Sequence, residues 1–353
     1  MRNVWGESLQ ISIFGESHGE GAGIVIGGLP AGFALDFDAL KAEMARRAPG
    51  KDGLSTTRKE PDDAEILSGL FDGKTTGAPL CAFIRNTDTR SRDYEPMLPR
   101  PGHADYAAFL KYAGHADYRG GGHFSGRLTA PLVFAGAVAK QLLRKENIEI
   151  YGKIGSIYNI EDETADMKSF IEAAGKPFPV YNDARGEEMK AAILAAKNQG
   201  DSVGGVIEFA VVGVPGGLGE PFFSSVESRL SSMLFSIPAV KGVEFGGGFA
   251  LAGMKGSKAN DAMTAEGGKI RFLSNHNGGV TGGITTGEPI RFSVAVKPTP
   301  SIAKRQKTVD LTNNEAAEIT VKGRHDPCIV PRAVPVVEAA AAICILDLCM
   351  MGK

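Results

Sequence analysis

Hydrophobic spacing changes several times along these 353 residues. Apolar and polar positions alternate over residues 9–14. A β-branched run covers 206–214 and closes on Pro215-Gly216-Gly217, and residues 290–296 form a third such segment. Each predicts a strand. Helical patterns interleave with them. One covers 36–47 and ends at Pro49-Gly50. Another covers 131–145 and opens on a proline at its first position. A third, 187–198, stops before Gly200, and a fourth covers 222–235. The most apolar stretch, 333–351, is interrupted by Glu338 and Asp347, which leave eight uninterrupted apolar residues. A bilayer span needs roughly 20. This stretch predicts a helix buried within the chain or between subunits, and no membrane partner. Strands and helices alternate, but the joining loops are long and glycine-rich. That predicts an α+β fold in a single large domain rather than a doubly wound sheet. Residues 158–199 are polar and poor in motifs, and read as a peripheral insertion.

Composition adds a site to this scaffold. Lys and Arg total 39 against 41 Asp and Glu, for a net charge of -2, which argues against a nucleic-acid binder held by bulk charge. An anion site must then come from local clustering. Glycine, at 46 residues, is about twice its ordinary share. No repeat explains this excess, so the glycines belong to loops where backbone approaches a ligand. Cys81, Cys328, Cys344 and Cys349 form no CxxC pair, and the first residues lack a basic-then-apolar leader. Both features predict a reduced, cytoplasmic protein.

The six histidines all lie close to glycines in predicted loops. His18 sits in Gly15-Glu16-Ser17-His18-Gly19 and His103 in Arg100-Pro101-Gly102-His103-Ala104-Asp105. Imidazole titrates near neutrality and suits proton transfer, so these two are the candidate proton carriers. His115 reads as an ordinary loop histidine with Asp117 as a local partner. Between Arg85 and Arg127 seven cations face five acids. Ser125-Gly126-Arg127 directly precedes a predicted helix, where free N–H groups and a guanidinium suit a phosphate. Arg46-Arg47 is a second basic pair, open to two readings: an anion contact or complement to a helix C-terminus. His325, Asp326 and Cys328 offer three ligand types, but Pro327 and the spacing fit no zinc pattern, so no metal is expected. Gly120-Gly121-Gly122 is neither a Walker loop nor a dinucleotide fingerprint.

Taken in order, these motifs resemble the chorismate synthase family from about residue 5 to 340. The anchors are the Glu16-Ser17-His18 loop, Thr57-Arg58-Lys59-Glu60-Pro61-Asp62, and Ser68-Gly69 with Thr75-Thr76-Gly77. Next come Arg100 to Tyr106, Arg119 to Gly122, Ser125-Gly126-Arg127, Gly213 to Glu220 and Ala239 to Glu244. Ser274-Asn275-His276, Lys297-Pro298-Thr299 and Arg324-His325-Asp326-Pro327-Cys328 complete the set.

The resemblance implies a β-α-β sandwich, usually a homotetramer, and a lyase. The family eliminates phosphate in the anti-1,4 sense from 5-enolpyruvylshikimate 3-phosphate to give chorismate, the last common step of aromatic amino-acid biosynthesis. It implies reduced FMN as cofactor, with NADPH or an external flavin reductase as the source of reduction. Position by position, His18 matches the proton donor to phosphate, His103 the histidine that protonates reduced flavin, and Asp326 the acid near the flavin. Ser17 and Ser125 match supporting serines, and Arg47, Arg127 and Arg324 match holders of substrate anions. Flavin contacts fall on His123, Phe124 and Ser125, on Pro238 and Ala239, on Gly282, on Lys297, Pro298, Thr299, Pro300 and Ser301, and on Arg324.

Three departures stand out. His123-Phe124-Ser125-Gly126-Arg127 replaces the usual Arg-Ser-Ser-Ala-Arg, exchanging a fixed guanidinium for a titratable ring. Gly53 stands where the family has a second arginine, and Pro238 where it has an asparagine. They keep open a non-catalytic protein that binds flavin or a phosphate ligand. A metal-dependent phosphohydrolase using His325, Asp326 and Cys328 is the third reading.

Overall fold

A computed structural model describes residues 3–49, 53–56, 58, 60–89, 94–164, 166–323 and 325–352. Its helices are α1 (Phe37–Arg47), α2 (Asp105–Lys111), α3 (Thr129–Lys145), α4 (Met167–Ala174), α5 (Asp183–Asn198), α6 (Val226–Leu234), α7 (Gly256–Ala259) and α8 (Val330–Met351). Two antiparallel sheets enclose some of them. The first has strand order Gln10–Gly15, Gly21–Gly27, Leu80–Arg85, Ala64–Ser68. The second runs Val240–Phe245, Ile290–Val296, Gly205–Val212, Glu149–Ile157, Ile160–Glu161.

The alternation seen in the sequence sets the inner faces. Ile290, Phe292, Val294 and Val296 are buried every second residue, and Phe292 stacks on Phe209 across the ladder at 5.0 Å. Helices α3 and α8 fill the space between the sheets, giving a sheet–helix–sheet sandwich around one continuous core. Small residues let these two helices approach closely. A Cβ added to Gly136 of α3 would stand 2.2 Å from the Cβ of Ala339 on α8. We expect Gly136→Leu to force the helices apart and to cost about 1–3 kcal/mol, read as a lower melting temperature. An unchanged melting temperature would mean that this contact does not set the helix spacing.

The long apolar helix α8 is thus buried within its own chain. Both carboxylates that interrupt it are partnered. Glu338 accepts two hydrogen bonds from Arg46, at 2.6 and 2.8 Å, and one from Lys140 at 2.5 Å. Burial pushes its pKa up, but Lys140 and Arg46 outweigh burial and hold it at about 2. Asp347 pairs with Arg229 and accepts the N–H groups of Ser8, at 2.8 Å, and Leu9, at 2.7 Å. It therefore fastens the start of the first strand to the end of α8.

Residues 158–199 form a packed outer layer. Helices α4 and α5 cover the second sheet on the face away from α8 and bury Phe170, Met189 and Ile193. Beneath them Lys153 is fully buried, 2.8 Å from Glu208 and 3.8 Å from Asp162. The helix expected over 222–235 begins only at Val226. Ser225 accepts from the N–H of Ser228 and caps it, while Phe222–Ser224 forms a separate 3₁₀ turn.

Candidate active site

The glycine run is the pivot of the site. Gly120, Gly121 and Gly122 all take left-handed φ, at 62°, 84° and 53°, a path closed to most side chains. Their missing side chains make room for the histidines. A Cβ on Gly120 would lie 2.5 Å from His18 Cδ2, and one on Gly121 would lie 2.8 Å from His103 Cε1. One backbone loop therefore separates the two imidazoles and touches both. The Gly122 carbonyl accepts the Ser17 N–H at 3.1 Å, and His123 Nδ1 lies 2.9 Å from the Gly15 carbonyl. Asn86 donates to the carbonyls of Glu16 and Gly19, both at 2.9 Å, which closes the turn carrying His18.

His103 Nδ1 is 2.6 Å from Asp105 Oδ1. A carboxylate only accepts, so this contact puts the ring proton on Nδ1 and leaves Nε2 toward Gly121. Arg100 grips the same carboxylate at 2.7 and 2.8 Å and reaches the Ser301 hydroxyl at 3.1 Å. Burial, with Arg100 and Lys297 nearby, lowers the His103 pKa despite Asp105, so the ring is neutral near pH 7. Tyr94 joins the halves: its ring meets the edge of His18 at 5.3 Å and the Arg100 guanidinium at 5.2 Å. We expect Gly120→Ala to displace His18 and to lower kcat about 100-fold. Retention of wild-type kcat would show that the loop does not position the ring.

The cationic side lies next to Ser17. Arg47 and Arg127, at 4 % and 5 % exposure, both bond to Asp62, itself 1 % exposed; the Arg47 contact measures 2.5 Å. Arg47 also donates to Thr129 Oγ1 at 3.2 Å and to the Gly126 carbonyl at 3.3 Å. Arg127 donates to Asn86 Oδ1 at 2.9 Å and to the Arg85 carbonyl at 3.0 Å. Burial would raise the Asp62 pKa, but Arg47 and then Arg127 pull it below the ordinary carboxylate value. Arg58 lies between this cluster and His18, on Glu60 at 2.6 Å and near the Ser17 hydroxyl at 3.5 Å. Asp326 accepts from Arg332 at 2.6 Å and from the Thr56 N–H at 2.8 Å, and Arg332 also donates to the Arg47 carbonyl at 3.0 Å.

Contacts thus run from His18 through Ser17, Arg58, Glu60, Arg127, Asp62, Arg47 and Arg332 to Asp326. The flavin-contact candidates lie mainly on the His103 side. Lys297 donates through its ammonium to the Gly102 carbonyl and through its backbone N–H to the Ala239 carbonyl, the latter at 2.9 Å. Pro300 packs near Gly102, Ser301 bonds Arg100, and the Thr299 carbonyl accepts from Ser202 at 2.7 Å. Pro298 follows Lys297 in the same loop, with its nitrogen beside Gly204. Pro238 leads into Ala239, which takes a left-handed φ of 73°. Phe124 packs against Tyr112 at 6.3 Å, and the Ser125 hydroxyl accepts the Arg127 N–H at 3.3 Å as a turn cap. Gly282 sits in the Val280–Thr285 hairpin, which packs through Gly283 on Ser225. Arg324, Thr57 and Lys59 lie outside the described residues.

Several residues take partners that the sequence pattern did not assign. Asp117 binds Arg119, at 2.9 and 2.8 Å, instead of His115. Arg46 pairs within the protein, with the buried Glu338 at 2.6 Å and with Glu43 of its own helix at 3.0 Å. Among the described residues no three His, Cys, Asp or Glu side chains are grouped to hold a metal, and burial pushes the Cys328 thiol up to about 12. Tyr94 and Arg332 were missed, and Arg58 and Asp62, though part of an anchor motif, were assigned no role. Asp62 left one signal, its place in the Arg58-Lys59-Glu60-Pro61-Asp62 motif.

This arrangement can be set beside known proteins. The chorismate synthase family model matches residues 9–350. This chain belongs to that family. A chorismate synthase from Korarchaeum cryptofilum is 48% identical over 353 residues, covering 98% of this chain and 96% of the relative. One from Archaeoglobus fulgidus is 47% identical, covering 99% and 97%. A crystal structure of chorismate synthase superposes with a TM-score of 0.77 at 31% identity, over 99% of this chain and 93% of the other. The sheet–helix–sheet sandwich is therefore the family fold.

Proposed function

We infer that the protein is a chorismate synthase, a lyase that removes phosphate and a proton from 5-enolpyruvylshikimate 3-phosphate to form chorismate. The observation that carries the site assignment is the glycine loop pressed between His18 and His103. It holds two proton-carrying rings on opposite sides of a single open backbone path. The substrate carries two carboxylates and a phosphate, and a site that sets Arg47, Arg58, Arg127 and Arg332 against only Glu60, Asp62 and Asp326 keeps a net positive charge toward it.

The family works with a reduced flavin. In our reading that flavin is FMN, and it supplies electron density to a reaction with no net redox change. The residues present fit such a group. Lys297, Arg100 and Ser301 make a cationic and hydrogen-bonding wall, and Gly121 leaves backbone space at His103. His103, Ala239, Lys297 to Ser301 and the His123–Ser125 turn would hold it, with Gly282, Pro238 and Arg324 as further contacts. His18 delivers a proton to the departing phosphate. His103, neutral and oriented by Asp105, keeps a proton in exchange with the flavin side. Asp326, fixed by Arg332 and Thr56, stands as proton acceptor. Ser17 and Ser125 shape the turns beside these groups, and Arg47 and Arg127 supply the field of the anion wall.

Exposed Phe222, Phe223 and Phe249, at 85, 96 and 87 % exposure, support a homotetramer in which partner subunits cover them. Four free cysteines suit the cytoplasm. Incubation of the purified protein with the phosphorylated substrate and chemically reduced FMN, without oxygen, should release chorismate and phosphate together. Binding of both ligands without release would favour the non-catalytic reading. Repeating the assay in air with NADPH and FMN distinguishes intrinsic flavin reduction from dependence on a separate reductase.

A further inference from the structure

Arg47 and Arg127 are two of the three arginines that the family pattern assigns to substrate anions, with Arg324, yet both are already paired with Asp62, and Arg127 also lies 3.7 Å from Glu60. Their remaining contacts, to Thr129, Gly126, Asn86 and Arg85, bury them almost completely. Arg58 differs in three ways. Its side chain keeps 17% exposure against 5% and 3% for the other two. Its Nε and Nη2 both bond one oxygen of Glu60, at 3.0 and 2.6 Å, which uses one edge of the planar guanidinium. The other edge points at the turn that carries His18. There Nη1 lies 3.5 Å from the Ser17 hydroxyl and Nη2 lies 3.4 Å from the Ser17 carbonyl, both at the outer limit of a hydrogen bond.

Glu60 is in turn immobilised by the Thr87 N–H and hydroxyl, at 3.1 and 2.9 Å, and by the Asp88 N–H at 3.2 Å. The guanidinium is thus held rigidly by one edge and presents the other beside the proton donor. We propose that Arg58 is the arginine that directly binds the phosphate leaving beside His18, while Arg47 and Arg127 form the wall behind it. This rests on the chorismate synthase reading and names the residue that meets its leaving group. A leaving phosphate gains charge as its bond to carbon breaks, and an N–H pair placed against it stabilises that charge where it develops. The proton from His18 and the donors from Arg58 then reach the same phosphate from adjacent turns.

Inorganic phosphate binding to the flavin-free protein, measured by calorimetry, tests this without turnover. Arg58→Gln should weaken phosphate binding at least tenfold with an unchanged melting temperature. Arg58→Lys should recover part of the loss, and Arg185→Gln, on the surface of α5, should bind as wild type. With substrate and reduced FMN, Arg58→Gln should lower kcat/KM at least 30-fold while flavin affinity stays constant. Wild-type phosphate affinity in both Arg58 variants, or no phosphate binding by the wild type, overturns the proposal. If Arg58→Gln does not fold, the Arg58→Lys titration decides alone. Phosphate binding that depends on Arg58, in a wild type that makes no chorismate, would sustain the anion site and sink the functional reading instead.

Discussion

Asp62→Ala is expected to lose about 3–5 kcal/mol of stability, because it leaves the buried guanidinia of Arg47 and Arg127 facing each other with no carboxylate between them. Against a total of about 5–15 kcal/mol, that loss leaves a marginal protein. Chemical denaturation would read it directly, and wild-type stability would refute the pairing. The pH dependence has a definite sign. The folded-state pKa of Asp62 lies below its ordinary value, so its contribution is fully present above about pH 4 and is lost as acid carries the pH down through the folded value. Asp62→Ala should therefore flatten the acid limb of the stability curve. Burial also lowers the Arg127 pKa, and Asp62 is the largest effect opposing it.

Removing either ring should damage turnover without damaging the fold. His18→Ala and His103→Ala are each expected to lower kcat by about 10²–10⁴, the usual worth of a positioned general acid or base. Both lie on loops, and neither belongs to the buried core, so circular dichroism and melting should stay near wild type. A variant with wild-type kcat would lose its assigned role. Combining the two should give less than the product of the single losses, since both rings rest on one glycine loop and serve one reaction.

Much of this was legible in the sequence, and what escaped follows a rule. The strand over Ile290–Val296 and the helix over Phe37–Arg47 are local patterns, and local patterns survive folding. His18 and His103 stood out through the glycines beside them in sequence, but the glycines that press on their rings are Gly120 and Gly121, well beyond both along the chain. Partners far apart in sequence left no such trace. Arg46 meets Glu338 across 292 positions, and Asp326 meets Thr56 across 270. Arg47 read as an open anion contact because nothing in its own segment announces Asp62.

Helix α8 comes last of these elements in chain order, yet it forms the middle layer. A ribosome making this protein therefore extrudes both sheets, and helix α3, before their common partner exists. Until residues beyond 330 emerge, the inner faces of the nascent chain have only each other, or a chaperone, to cover them. The first strand waits longest, because the carboxylate that receives the N–H groups of Ser8 and Leu9 belongs to Asp347. The turn bearing His18 is synthesised well before the carboxylate that anchors the strand leading to it.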